Sequence, residues 1–242
     1  MNVKYLILIV LAILVIFAGS VSAADNGTED VMESSSDDKL KSGYYYSADD
    51  DEIYPDKTID AKDLSIYYGS SKTYDVKVLK DDGTPESNVN VHLDILGSNL
   101  YKIKVKTSNS KGIASFSMKY GVGKYLVTST VNGYDENSTK TDDYWFTFNI
   151  IKIKSTIPTK TLSKSIKDKN KKFSIKFLDS NGKALKNKKI KIKVKGKTHI
   201  IKTTSRGIAK IKINSLSVGK HKLTAINTQT KEKKKISVVI KK

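Results

Sequence analysis

The sequence predicts an all-β protein in which two copies of one small sandwich domain follow each other along the chain. Three glycine landmarks of the first half recur in the second half at spacings of 99, 95 and 96 residues: Gly83 with Gly182, Gly112 with Gly207, and Gly123 with Gly219. A period of that length, held through three landmarks, indicates a tandem repeat of one module. Apolar and polar residues alternate with a period of two, which is typical of half-buried strands, and no helical periodicity occurs beyond residue 23.

Residues 1–23 predict a secretory signal peptide. Lys4 supplies a positive charge, an apolar run extends from Tyr5 to Phe17, and small residues lead up to Ala23. The apolar run is shorter than the roughly 20 residues of a spanning helix, which favours cleavage over an uncleaved membrane anchor. We therefore expect an exported protein, secreted or extracellular and associated with the cell surface, with no transmembrane span after cleavage.

Residues 24–60 predict a disordered acidic leader. Residues 24–63 hold 13 acidic and 4 basic residues, and such a segment has too little apolar surface to offset the entropy lost on ordering. The run Tyr44-Tyr45-Tyr46 stands out inside it and leaves two interpretations open, docking onto a neighbouring sheet or a solvated patch.

Two repeats follow, at residues 61–152 and 153–242, each of about seven short strands. The predicted core residues of the first repeat are Tyr74, Val76, Val78, Val89, Val91, Leu93, Ile95, Ala114, Phe116, Met118, Tyr125, Val127, Phe146, Phe148 and Ile150. Those of the second are Phe173, Ile175, Phe177, Ile190, Ile192, Val194, Ala209, Ile211, Ile213, Leu223, Ala225, Ile236, Val238 and Ile240. Seven short strands separated by turn residues predict a two-sheet, Ig-like β-sandwich.

The motifs of the first repeat resemble the Ig-like repeats of archaeal and bacterial adhesin-like surface proteins. The resemblance lies in an aromatic opening strand ending in Tyr67-Tyr68-Gly69, a D-x-G-x-P turn at Asp81 to Pro85, the segment from Thr107 to Ala114, and a closing Gly123-Lys124-Tyr125. The second repeat departs from it, because Ala184-Leu185 stands where a proline is expected and His221 replaces Tyr125. The lysine-rich, proline-poor composition is similar to that of adhesin-like proteins of methanogenic archaea. The resemblance implies secretion, display at the cell envelope and adhesion, with no catalytic residue.

The search for reactive groups predicts a protein that is not an enzyme. The chain has no cysteine, and its three histidines, His92, His199 and His221, lie in separate predicted strands or turns without metal-ligand spacing. No catalytic, metal-binding or cofactor-binding residue is predicted, and no cofactor. Asn26 and Asn137 fit the N-glycosylation pattern.

The charge of the second repeat predicts the binding partner. Residues 151–242 carry 29 basic and 3 acidic residues, and the predicted contributors to binding are Lys191, Lys193, Lys195, Lys233, Lys234 and Lys235. The first hypothesis is an adhesin-like protein held on an anionic cell-envelope polymer or surface glycan, with other surface proteins as further partners. The alternative is a secreted binder of polyanions, nucleic acid or acidic glycans, although few aromatic residues are offered for base stacking, so specific nucleic-acid binding is not expected. A third interpretation is that the lysines only keep the sheet soluble.

Overall fold

The computed structural model describes residues 43–47, 52–56, 58–134 and 140–242, which all belong to one compact unit. These residues form strands and turns without a helix, so the predicted all-β class is confirmed. The described part of the chain accordingly has no helix of the length and hydropathy needed to cross a membrane. The predicted signal peptide and both glycosylation asparagines, Asn26 and Asn137, lie outside the described residues.

The first ten strands form module 1, which has two sheets. The strands are β1 (Gly43–Ser47), β2 (Glu52–Asp56), β3 (Ile59–Ala61), β4 (Leu64–Tyr67), β5 (Thr73–Val78), β6 (Asn90–Gly97), β7 (Leu100–Thr107), β8 (Ile113–Ser117), β9 (Gly123–Tyr134) and β10 (Lys140–Lys154). The larger sheet has the order β2-β1-β10-β9-β6-β7, with β4 also pairing with β10, and the smaller sheet has the order β3-β5-β8. β4 runs parallel to β10, and the other pairs are antiparallel.

The last seven strands form module 2, which repeats this layout. They are β11 (Thr161–Ser165), β12 (Lys172–Lys176), β13 (Lys189–Val194), β14 (Lys197–Lys202), β15 (Ile208–Lys212), β16 (Gly219–Ile226) and β17 (Lys233–Lys241). One sheet has the order β11-β17-β16-β13-β14, and the other pairs β12 with β15. β11 is parallel to β17, as β4 is to β10. Both modules are therefore Ig-like β-sandwiches, as the sequence predicts.

Each module encloses its own hydrophobic core between its two sheets. The core of module 1 includes the predicted Tyr74, Leu93 and Phe116, and the core of module 2 includes the predicted Phe177 and Ile192. Apart from Val89, Phe148 and Ile150, which are half-buried, every predicted core residue is buried, Phe146 included. The boundaries 61–152 and 153–242 remain predictions.

The predicted core face of β10 is wrong. Val127 and Tyr125 of β9 point into the core and stand opposite Asn149 and Ile151, so Phe146, Phe148 and Ile150 lie on the outer face of the sheet. Both faces of this strand carry large apolar side chains, so the period of two alone does not select the face. The inward Asn149 accepts a hydrogen bond of 2.7 Å from the Tyr74 hydroxyl and donates one of 3.2 Å to the Ala61 carbonyl.

Part of the predicted disordered leader is ordered, which corrects the expectation for residues 43–47, 52–56 and 59–60. β1 pairs with β10 opposite residues 144–146 and with β2 on its other side. The Tyr44 ring stacks on Phe146, with 5.5 Å between ring centroids, so the start of the tyrosine run docks onto the sheet. The outward aromatic side chains of β10 give β1 an apolar surface to pack against. The composition of the acidic leader as a whole does not reveal this local contact.

The same side-chain to backbone bonds hold the turns of both modules. The buried hydroxyl groups of Ser108 and Thr203 donate to the carbonyls of Glu86 and Leu185. At the start of the next-to-last strand, the Tyr125 hydroxyl donates to the Gly121 carbonyl at 2.8 Å, as in the tyrosine corner of Ig-like domains. His221 Nε2 lies 2.8 Å from the Ser217 carbonyl, also four residues upstream, and so takes the place of that tyrosine.

The segment that leads from module 1 into module 2 is fastened by the buried side chain of Glu232. Its carboxylate accepts three hydrogen bonds of 2.6 Å, from the Ser155 hydroxyl and from the backbone N–H and hydroxyl of Thr156. Asn227 donates to the Thr156 hydroxyl at 3.0 Å and to the Leu178 carbonyl at 2.7 Å. A buried carboxylate is tolerated only where such donors satisfy it.

Two glycine turns bring the modules into contact beside this segment. Gly69 of module 1 has φ +79°, and a Cβ there would lie 3.0 Å from the Thr230 Cβ of module 2. Gly182 of module 2 has φ +80°, and a Cβ there would overlap the Tyr67 ring of module 1. We call these contacts, together with the Glu232 hydrogen bonds, the joint.

Replacing Tyr74 by Phe is expected to lower the free energy of unfolding by about 1–2 kcal/mol, because the inward Asn149 and Ser129 lose their shared hydroxyl partner. Burial also raises the pKa of Tyr74, so the folded state disfavours the phenolate. Its stabilisation is therefore present below pH about 10 and is lost as the pH rises further. Urea unfolding followed by circular dichroism measures both effects. Tyr101→Phe, at a half-exposed hydroxyl, is the control and should change stability by less than about 0.5 kcal/mol.

Replacing Glu232 by Gln is expected to destabilise the protein by about 1–3 kcal/mol, because an amide group then faces three donors with one acceptor oxygen. Asp168→Asn is the matched control, since Asp168 forms a solvent-accessible pair with Lys164 at 3.7 Å and should contribute less than about 1 kcal/mol. Equal urea midpoints for the two variants would contradict the role given to Glu232.

Candidate polyanion-binding face

One sheet of module 2 presents a continuous set of lysines to solvent. Inward residues Ile190, Ile192 and Val194 of β13 alternate with outward lysines, and the pairing register places lysines of β14, β16 and β17 on the same side. We call this set the lysine face; it consists of Lys189, Lys191, Lys193, Lys202, Lys220, Lys222, Lys233, Lys235 and Lys241. All nine side chains are exposed.

Two rows of residues form the centre of the lysine face. Lys191 and Lys233 flank Ile226 in one row, and Lys193 and Lys235 flank Thr224 in the next. Lysines of one row lie about 10 Å apart across two strand spacings, and lysines of successive rows lie about 7 Å apart along a strand. The four lysines thus flank Ile226 and Thr224 on both sides, and Ile200, which is 63% exposed, continues the first row beyond Lys191.

Four of the six lysines predicted from the sequence lie on this face, and two lie elsewhere. Lys234 points to the inner side of its strand, is half-buried, and donates to the Ile157 carbonyl at 2.6 Å. Lys195 lies in the turn before β14 with φ +45°, and it donates to the Ser215 carbonyl at 2.7 Å. Both ammonium groups are tethered to backbone oxygens.

Five lysines of the face are not among the predicted contributors to binding: Lys189, Lys202, Lys220, Lys222 and Lys241. Lys220 and Lys222 alternate with inward residues of β16 in the same way that Lys191 and Lys193 do in β13. Their alternation is a signal in the sequence, but only the strand register shows that they share a face with β13.

Module 1 carries different chemistry at the equivalent positions. Its corresponding rows are His92–Thr130–Phe146 and Asp94–Thr128–Phe148. The same fold therefore forms with aromatic and acidic residues where module 2 has four lysines. The lysines are a property of the surface of module 2 and not a requirement of its sandwich.

The three carboxylates of residues 151–242 are all engaged away from the lysine face. Asp168 pairs with Lys164, Asp179 accepts two backbone N–H bonds of 2.9 Å inside its turn, and Glu232 belongs to the joint. Lys189 and Lys202 stand directly opposite each other on neighbouring strands. Like charges in that position destabilise a sheet, so the face has an electrostatic cost that binding a polyanion would relieve.

The histidines are not brought together by the fold. His92 lies on β6, His199 on β14 and His221 on β16. Among the described residues, no group of three or more histidine, aspartate or glutamate side chains is arranged to hold a metal ion.

No protein-family model and no curated protein sequence matches the chain. Among solved structures, it is similar to a Ca²⁺-stabilised adhesin that helps an Antarctic bacterium to bind ice, with 10% identity, a TM-score of 0.30, and coverage of 76% of this chain and 49% of that one. A Bacteroides ovatus mixed-linkage glucan utilization protein, solved with a heptasaccharide, has 12% identity and a TM-score of 0.28, with coverage of 75% of this chain and 43% of that one. A titin fragment has 10% identity and a TM-score of 0.25, with coverage of 75% of this chain and 96% of that one. The chain spans less than half of the first two structures. Likenesses at this level carry no information on ligand or activity.

Replacing Lys202 by Glu is expected to raise the free energy of unfolding at low salt by about 0.5 kcal/mol, since an attractive pair with Lys189 replaces a repulsive one. The gain should vanish at high salt, where exposed charges are screened. Lys202→Gln is the control, and it should give a smaller gain. Urea unfolding at two salt concentrations measures the difference; a variant less stable than the parent at low salt would contradict the repulsion.

Proposed function

We propose that this chain is a non-enzymatic, exported, adhesin-like protein whose module 2 binds an anionic cell-envelope polymer or surface glycan. The observation that carries the proposal is the double row of Lys191, Lys193, Lys233 and Lys235 on one sheet, with no carboxylate among its neighbours on that face. A flat array of charges about 7–10 Å apart matches a repeating anionic chain better than a small ligand in a pocket.

The remaining parts of the proposal follow from the sequence. The segment 1–23 exports the chain, and the repeats 61–152 and 153–242 act as its display modules at the cell surface. The archaeal, methanogen-like origin belongs to this proposal too, since it rests on composition and on the turn motifs.

Binding of nucleic acid is the alternative. Net charge of this size binds duplex DNA nonspecifically by releasing counterions. The exposed apolar side chains on the lysine face are aliphatic, such as Ile200, so the face offers no ring for base stacking. This favours a polymer recognised by its charge spacing.

The decisive comparison uses two variants of the full chain with equal loss of charge on opposite sheets. The first is Lys191→Gln with Lys193→Gln, Lys233→Gln and Lys235→Gln on the lysine face. The matched control is Lys172→Gln with Lys176→Gln, Lys210→Gln and Lys212→Gln, all exposed on the two-stranded sheet. Affinity for dextran sulfate, polyglutamate and duplex DNA would be measured across a salt series.

The lysine-face variant should lose at least about tenfold in affinity for dextran sulfate or polyglutamate, and the salt slope should fall by up to about four. The control should change affinity by less than about threefold. Equal losses in both variants would show that the lysines act only as a solvated charge, and tighter binding to DNA than to both other polymers would support the alternative.

A further inference from the structure

At the end of module 1 remote from β4 and the joint, a cleft of about 600 Å³ opens between the two sheets. Val89, Val131 and the half-buried Trp145 line its apolar part. Its charged lining consists of Asp81, Glu86 and Lys80, so the acidic side chains are in excess by one, and we call Asp81 and Glu86 the acidic rim. A cleft with an apolar part and an excess of acidic side chains fits a partner surface that carries an apolar group among cations.

The repeat identifies what occupies this end in module 2. There the equivalent end is the joint: Leu178 and Thr156 are linked as Leu79 and Thr58 are in module 1, by backbone bonds of 2.7 Å each. In module 2 this end receives the preceding module and the segment that connects to it. The joint thus shows where a neighbouring Ig-like module lies at this end of module 2.

The glycine turns show the difference between the two ends most directly. Gly83 and Gly182 occupy the same turn, with φ of +81° and +80°. A Cβ on Gly182 would overlap the Tyr67 ring of the neighbouring module, whereas a Cβ on Gly83 meets no described atom within 4 Å. Among the described residues, the turn of module 1 therefore lacks the neighbour that the turn of module 2 has.

The far end of module 2 has the complementary chemistry. The backbone N–H of Ile166 donates to the Lys241 carbonyl at 2.7 Å, as the backbone N–H of Tyr68 donates to the Lys154 carbonyl at 2.8 Å. Ile166 is therefore equivalent to Tyr68, and Lys167 is equivalent to Gly69, which contacts module 2 in the joint. Ile166 is 38% exposed there. Asp168 is paired with Lys164, and Lys167 and Lys169 on either side of it add two positive charges at this end.

We propose that a second copy of this chain docks the far end of its module 2 onto the cleft of module 1, head to tail. The acidic rim at Asp81 and Glu86 faces Lys167 and Lys169 of the second copy, and Ile166 covers the apolar part. Each chain keeps one free acidic end and one free basic end, so the contact is heterologous and extends into an open row of modules. This assembly is independent of the lysine face.

Sedimentation velocity of the full chain over a wide concentration range tests the assembly at low and high salt. Association should strengthen with concentration and weaken with salt. Trp145 is the only tryptophan of the chain and lines the cleft. Its fluorescence emission maximum should therefore shift at the same protein concentration as the change in sedimentation coefficient.

A charge exchange makes the test specific. Asp81→Lys with Glu86→Lys should weaken association roughly tenfold or more, and Lys167→Glu with Lys169→Glu should do the same. A chain carrying both exchanges should associate like the parent, because each end again meets the opposite charge. The control, Lys191→Glu with Lys193→Glu, has the same charge change as the second variant and should lose dextran sulfate binding while keeping association within about threefold.

A chain that stays monomeric at every concentration and low salt would overturn the proposal. Association that is weakened equally by the control, or that the combined exchange fails to restore, would overturn it as well. Retention of dextran sulfate binding by the control, with association unchanged, would overturn only the proposed function, so the two failures are distinguishable.

Discussion

The hydrogen bonds of Glu232 are the interaction on which the arrangement of the two modules depends. A carboxylate that is 5% exposed is stable only with its donors in place, and these donors belong to Ser155 and Thr156 in the connecting segment. The segment is therefore held as part of module 2 and does not act as a free linker. The connecting segment is short and bonded to Glu232. This brings the Tyr67 ring of module 1 against the turn at Gly182 of module 2.

Within each module the inward residues of a strand form the core, and the outward residues determine the chemistry of the surface. The inward residues and the turn bonds are repeated closely: Ser108 and Thr203 make the same hydroxyl bond, and Tyr125 and His221 hold the same corner. The outward residues are repeated less closely: Thr128 matches Thr224, whereas Phe146 and Phe148 stand where module 2 has Lys233 and Lys235. This separation is why two similar sandwiches differ on their outer faces, with aromatic side chains that pack against Tyr44 in module 1 and exposed lysines in module 2.

The sequence predicts the fold well because inward residues of most strands alternate in one phase. It fails at β10, where Phe146 and Phe148 form one apolar phase and Ile151 and Ile153 the other, and only pairing with β9 decides between them. It fails for the leader because composition averages over residues that have a partner strand. The joint has no local signal, since Glu232 and Thr156 are 76 residues apart. The lysine face was half predicted, because alternation shows which lysines point outward and register shows which of them are neighbours.

The equivalence of Phe146 and Phe148 with Lys233 and Lys235 has a consequence for how such chains evolve. After a duplication, outward positions that make no turn bond can accumulate substitutions at little cost to folding. Selection can then change the charge of one copy while the other keeps its original surface. A longer array that grows by the same route would retain one scaffold throughout and acquire a different surface chemistry on each successive copy.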